Sequence, residues 1–242
     1  SRQMDDIFLS ARRAGIKSVF AGGASNYDEF TTPDFSYAGS LTDSEVVQHG
    51  INHFKNDGAR LIRLHLQRIR DNWSGPKDKL DPNSQYQKDI LKADELLGKF
   101  IRVLKEANVW DSTYIIVSSD HGMGQSRESD HQPSVYSSWL PFMHFYGPKI
   151  KKGKMIPYAE TPDIALMVNH FLNLQPLQGH TDPKVIMEPK GTTATFLSNI
   201  FEGSPDEIQH PQLIKRYLEL KNRSPQDEYA DYRSGMINLL RK

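Results

Sequence analysis

Apolar positions along the chain switch repeatedly between a helical and a strand period. Ile7, Phe8, Leu9, Ala11 and Ala14 fall at helical spacing and stop at Gly15, as in a helix closed by a C′ glycine. Residues 17–21 then read as a strand, with Gly22 and Gly23 as the tight turn behind it. Residues 24–41, rich in turn formers and aromatics, are expected to be a surface loop. Thr42 and Glu45 stand at capping-box spacing ahead of Val46, Val47, Ile51 and Phe54, which predicts a second helix. Residues 61–66 alternate after Gly58, as a strand should, and a polar loop with Gly75-Pro76 and Asp81-Pro82 follows. From about residue 84 to 107, Ile90, Ala93, Leu97, Phe100, Ile101 and Leu104 recur at helical spacing, with Lys and Glu opposite them.

Residues 113–118 form a continuous β-branched run, the pattern of a strand buried on both faces. A strand at 61–66, a long helix and this strand would make a crossover unit, so the two strands are expected to be parallel. Residues 140–146 read as a further strand, closed by Gly147-Pro148 and a basic segment holding Lys149, Lys151, Lys152 and Lys154. Helices are expected over about 161–172, 191–201, 210–221 and 227–240. The fold class is therefore α/β, a mostly parallel sheet flanked by helices with a helical C-terminal extension. The division expected is a main domain over 1–185 and an extension packed on it over 186–242.

Composition narrows the function classes without naming one. The 242 residues are enough for a sizeable core, and 37% hydrophobic with 25% charged residues is ordinary for a globular chain. Lys+Arg 30 against Asp+Glu 30 gives no net charge, so no nucleic-acid partner is expected. Cysteine is absent, which excludes a disulfide framework, a Cys-ligated zinc and a thiol nucleophile. No run approaches the roughly 18–20 apolar residues of a membrane span, and residues 1–6 carry no apolar signal core.

Chemistry is concentrated in Ser118-Ser119-Asp120-His121-Gly122-Met123-Gly124. This stretch falls at the C-terminal end of a strand, where open α/β sheets present ligand-binding groups. Asp120 and His121 offer an oxygen and an imidazole on consecutive residues, and the glycines let the backbone turn so that both can face one ion. The same residues also suit a plain turn, with Asp120 capping it and His121 packed alongside.

Further on, Asp130-His131 precedes the segment from Leu140-Pro141-Phe142-Met143-His144 to Gly147-Pro148-Lys149, and Glu160-Thr161-Pro162-Asp163 follows. With the long helix carrying Tyr86, Asp94 and Gly98, this combination resembles the alkaline phosphatase superfamily over roughly residues 60–180. Its sulfatase, type I phosphodiesterase and phosphopentomutase branches are the most similar. The resemblance implies two divalent metal ions about 4 Å apart that hold a phosphate or sulfate ester during in-line attack. It places Asp120 and His121 on one metal and His131 on the other. Zn²⁺ or Mn²⁺ suits mixed carboxylate and imidazole ligation. Asp71 can stand for the second metal's aspartate, but the histidine expected four or five residues later is missing, and Ser74 or a neighbour stands there. His65 is the nearest other imidazole, and its place inside a strand suits packing. His180 could reach a metal or simply sit in a turn. Thr31-Thr32-Pro33-Asp34 mimics a nucleophile loop, yet it follows the wrong unit and suits ordinary turn chemistry.

The superfamily's first strand, with a metal-binding Asp and the nucleophile after it, has no counterpart here. The chain is thus expected to be the C-terminal part of an alkaline-phosphatase-like enzyme, with an N-terminal remainder as its partner. The leading expectation is a metal-dependent hydrolase of phosphate or sulfate esters acting on an anionic substrate. The alternative is a non-catalytic binding or structural protein on the same scaffold with a degenerate metal site. A phosphomutase ranks last, because the interval from residue 24 to 61 is too short for a cap domain. His49, His53, His144, His170 and His210 show no ligand spacing, and Trp73 and Trp110 are expected to pack at element ends.

Overall fold

Asp6 opens the first helix, α1 (Ile7–Arg13), by accepting the amides of Phe8 and Leu9 at 2.8 Å each. Gly15, at φ +71°, ends it in the left-handed conformation that the sequence implies. The computed structural model describes residues 5–24, 32–124, 141–153 and 161–175. It divides into two units, residues 1–113 with 168–186 and residues 114–167 with 187–242.

In the first unit β1 (Ser18–Gly22) is buried at every position. It lies between β2 (Phe35–Ala38) and β3 (Leu61–His65), so both its edges are paired. β2 corrects the expectation of a loop over 24–41: Phe35 to Ala38 run parallel to Val19 to Gly22. The helix α2 (Asp43–Asp57) has the full capping box, with Thr42 accepting the Glu45 amide and Glu45 accepting the Thr42 amide. It ends at Gly58, whose φ is +70°. α2 also clasps β2. His53 stacks on Phe35 at 4.2 Å and His49 on Tyr37 at 3.8 Å, while the His53 ring bonds Asp57 and the Tyr37 hydroxyl. These two histidines are structural, as expected.

β3 (Leu61–His65) pairs with β1 in parallel, giving the order β2-β1-β3. The loop expected after it holds two single-turn helices, α3 (Arg68–Asp71) and α4 (Lys77–Leu80). The long helix α5 (Gln85–Glu106) is present, with Tyr86, Asp89, Leu96, Val103 and Leu104 buried. Ile90 lies outward of that stripe, contrary to the sequence pattern. Leu96 and Val103 pack with Val47 and Ile51 of α2, and Phe54 meets Phe100 edge to face. A second cluster joins Phe8, Ala11, Ile16, Phe20 and Leu61, with Val168, Leu172 and Leu174 against it. Trp73 is buried against Tyr86, and Lys105 lies over Trp110.

In the second unit β4 (Ile115–Ser118) pairs antiparallel with β5 (Met143–Tyr146). One expectation is corrected here: β4 is half-buried with Ser118 exposed, and not buried on both faces. Among the described strands it is β1 that is buried at every position. Gly147, at φ +154°, follows β5 where the Tyr114 ring would collide with any Cβ. The helix α6 (Thr161–Phe171), whose residues from Val168 on belong to the first unit, matches its expected span to within a residue. The helices expected over 191–201, 210–221 and 227–240 lie outside the described residues, as does the extension over 186–242. Among the described residues no helix is long and apolar enough to cross a membrane.

Candidate functional site

The end of β4 is fixed before the candidate ligands begin. Ser118 is in register with Met143, and the Ser119 amide donates to the Phe142 carbonyl at 3.3 Å while the Phe142 amide donates to the Ser119 hydroxyl at 3.4 Å. Asp120 and His121 follow directly. The Asp120 carboxylate accepts the His121 amide at 3.0 Å, so some turn chemistry is present. The His121 ring nitrogen Nδ1 lies 2.7 Å from the Gly122 carbonyl, a contact that requires Nδ1 to be the protonated nitrogen. In the neutral ring Nε2 carries the lone pair, and it lies 3.7 Å from Asp120 Oδ1.

This arrangement fits two ligands of one divalent ion. Two donors each about 2.1 Å from a zinc-sized ion lie at most ~4.2 Å apart, and the observed separation falls within that limit. The Asp120 side chain is 63% exposed and that of His121 26%, so both can be reached from solvent. Among the described residues no group of three or more candidate ligands gathers at one point. His131 and His180 lie outside the described residues.

Asp71 belongs to the first unit, at the end of α3 and beyond the C-terminal end of β3. Its Oδ1 accepts from the Gln67 side-chain amide at 3.4 Å, and the Gln67 carbonyl oxygen of that amide takes His65 Nε2 at 3.1 Å. Asp43, buried at the start of α2, accepts the backbone amides of Gln67 at 2.9 Å and Arg68 at 3.4 Å. Burial pushes the Asp43 carboxyl above the ordinary carboxylate range, against the opposing pull of those two amides. On the far side, Asn72 donates to the buried carboxylate of Asp89 at 2.6 Å, and Gln85 donates to its other oxygen. Ser74 is engaged by Asp78 through both its amide and its hydroxyl. Gly75 and Pro76 occupy the spacing where a second metal's histidine was expected, so residues 71–76 themselves hold one carboxylate and no imidazole.

Sequence reasoning missed Asp43, Gln67 and Asp89. Gln67 and Asp71 stand four apart, a spacing that pairs side chains in a helix, but Asp43 joins them from a different element. Thr32 and Asp34 make tertiary bonds in place of the turn chemistry expected of them: Thr32 donates to Asp6, and Asp34 accepts from Ser18 and Arg12, all far apart in sequence. In the basic segment Lys149 and Lys152 are exposed and Lys151 is half-buried, while Lys154 lies outside the described residues.

The fold is similar to that of murine ectonucleotide pyrophosphatase / phosphodiesterase 5. One structure, of an inactive variant in complex with AMP, matches with a TM-score of 0.54 and 18% identity, covering 71% of each chain. A second structure of that mouse protein matches with a TM-score of 0.54 and 19% identity, covering 72% of each. At such identities the likeness is one of fold. No curated protein matches the chain. The model of the type I phosphodiesterase / nucleotide pyrophosphatase family matches residues 44–191, more than half of the sequence, and the match includes Asp71, Asp120, His121 and His131. The chain accordingly belongs to the type I phosphodiesterase / nucleotide pyrophosphatase family, within the alkaline phosphatase superfamily.

Proposed function

We propose that this chain carries part of the active site of a metal-dependent hydrolase that cleaves phosphodiester or pyrophosphate bonds in nucleotide-like substrates. The observation that carries this is the Asp120–His121 pair at the end of β4, with the imidazole oriented by Gly122. Its position inside the family match supports phosphate rather than sulfate chemistry. The AMP bound by the mouse relative supports a nucleotide as the substrate class.

Asp120 and His121 would hold one ion, and Asp71 with His131 would contact a second, with Zn²⁺ or Mn²⁺ suiting both sets. A divalent ion bound there would polarise the ester oxygen and lower the pKa of the attacking group. The chain's own part is positional. The Ser119–Phe142 bonds set the strand end, and Gly122 fixes the tautomer that leaves Nε2 as a donor.

One observation favours a second reading, a non-catalytic scaffold. Asp71 is followed by a Ser74 committed to Asp78 and then by Gly75 and Pro76, with no imidazole at that spacing. The two are separated by measuring bound metal and the hydrolysis of bis(p-nitrophenyl) phosphate and AMP-containing dinucleotides. Wild type should bind a stoichiometric divalent ion, and His121→Ala should lose it. Unchanged metal content in His121→Ala would sink the ligand assignment. Metal binding without turnover would favour the scaffold.

A further inference from the structure

Thr42 and Glu45 already cap α2 reciprocally, so Asp43, the first residue of that helix, is not needed there. It is nonetheless buried, and its carboxylate reaches to the start of α3, accepting the amides of Gln67 and Arg68. Gln67 is the N-cap of α3 but makes no side-chain cap bond of its own. A carboxylate from another helix supplies the missing cap.

The consequences run directly to Asp71. The Gln67 carbonyl accepts the amides of Arg70 at 3.1 Å and Asp71 at 3.2 Å, and the Gln67 side chain bridges His65 to the Asp71 carboxylate. Gln67 also sits against the end of β1. A Cβ on Gly23 would come within 2.8 Å of the Gln67 Cβ and 3.2 Å of the Leu41 carbonyl, so glycine there makes room for this turn. All of this lies at the C-terminal ends of two parallel strands, the place where α/β sheets present functional groups.

We infer that Asp43 is a positioning residue for the proposed reaction, holding Gln67 so that Gln67 in turn fixes the backbone and carboxylate of Asp71. This rests on the function proposed above only for its catalytic consequence. The charged groups around Asp43 are Arg68, which favours its ionised form, and Asp89, which opposes it. Burying a carboxylate beside a second one is costly, and a purely structural cap would be served as well by Ser or Thr.

The test uses the full chain in four forms: Asp43→Ala, Asp43→Asn, Gln67→Ala and Asp71→Asn. Amide hydrogen exchange should speed about tenfold or more at Gln67, Arg68 and Asp71 in Asp43→Ala, with Val46 and Val47 unchanged. Asp43→Asn keeps an oxygen acceptor and should restore wild-type protection. In Zn²⁺ titration calorimetry, Asp43→Ala and Gln67→Ala should weaken the Asp71-dependent binding event about tenfold, and neither should weaken it further in an Asp71→Asn background. Where turnover is measured, kcat should fall with KM unchanged. Wild-type exchange in Asp43→Ala, or full additivity with Asp71→Asn, would overturn the inference. Should Asp43→Ala not fold, Gln67→Ala decides: unchanged Zn²⁺ affinity and unchanged Asp71 exchange overturn it. If wild type shows neither Zn²⁺ binding nor turnover, the proposed function fails, while the exchange rates still decide the role of Asp43.

Discussion

Replacing Asp34 with Ala should cost about 3 kcal/mol of folding stability at pH 7, most of it through Ser18. Ser18 begins the central strand and is fully buried, and both its amide, at 2.8 Å, and its hydroxyl, at 2.9 Å, donate to Asp34 Oδ2. Hydrogen bonds to a charged acceptor contribute roughly 1.5–3 kcal/mol each, and an orphaned buried amide costs roughly 1–3, with incomplete additivity bringing the sum to the value above. The Arg12 pair at 3.0 Å adds about 0–1 kcal/mol, since the Arg12 side chain is 48% exposed. Burial alone would raise the Asp34 carboxyl, but the Ser18 amide and hydroxyl and the Arg12 guanidinium outweigh it and hold the group below its ordinary value. A depressed folded value means that the stabilisation is complete above the unfolded carboxylate range and is lost as pH falls through the folded value. Urea unfolding of wild type and Asp34→Ala, followed by tryptophan fluorescence, should therefore show the full difference at pH 7 and a smaller one at about pH 3. A difference below about 0.5 kcal/mol at pH 7, or one that is equal or larger in acid, would refute the assignment.

Two further substitutions probe the frame around the site. Phe20→Ala removes a fully buried ring of the central strand, over which the Arg63 guanidinium lies at 5.3 Å, and should cost about 3–5 kcal/mol in the same urea assay. Thr42→Ala deletes the side-chain cap of α2 and should cost about 1 kcal/mol, with Thr42→Ser close to wild type.

Elements encoded by neighbouring residues were legible in the sequence. The capping box at Thr42 and Glu45, the left-handed Gly15 and Gly58, and the long amphipathic α5 all appear where the pattern puts them. β2 was poorly legible because Phe35-Ser36-Tyr37-Ala38, although its aromatics alternate with small residues, is only four residues long and sits in a turn-rich segment; β1 beside it and two histidines of α2 stacked on its rings make it a strand. β4 misled for the converse reason. Ile115-Ile116-Val117 reads as a doubly covered strand, yet all three are only half-buried and Ser118 is exposed. At the candidate site, Asp120 and His121 were readable as consecutive residues after a strand. The Asp43–Gln67 contact spans 24 positions, and no local pattern announces it.

The single turn of α3 has a consequence for the order of assembly. Four residues cannot offset the cost of nucleating a helix, so this turn has no independent existence. It can form only after the start of α2 and the end of β3 have come together, which makes it a late event on folding and an early one to open. Anything that grips Asp71 in its native place therefore draws the whole α2–β3 junction shut by mass action, with a stabilisation of RT ln(1 + [L]/Kd). A ligand of Asp71 would be felt first as slower local opening of a segment several residues away from the atom it touches.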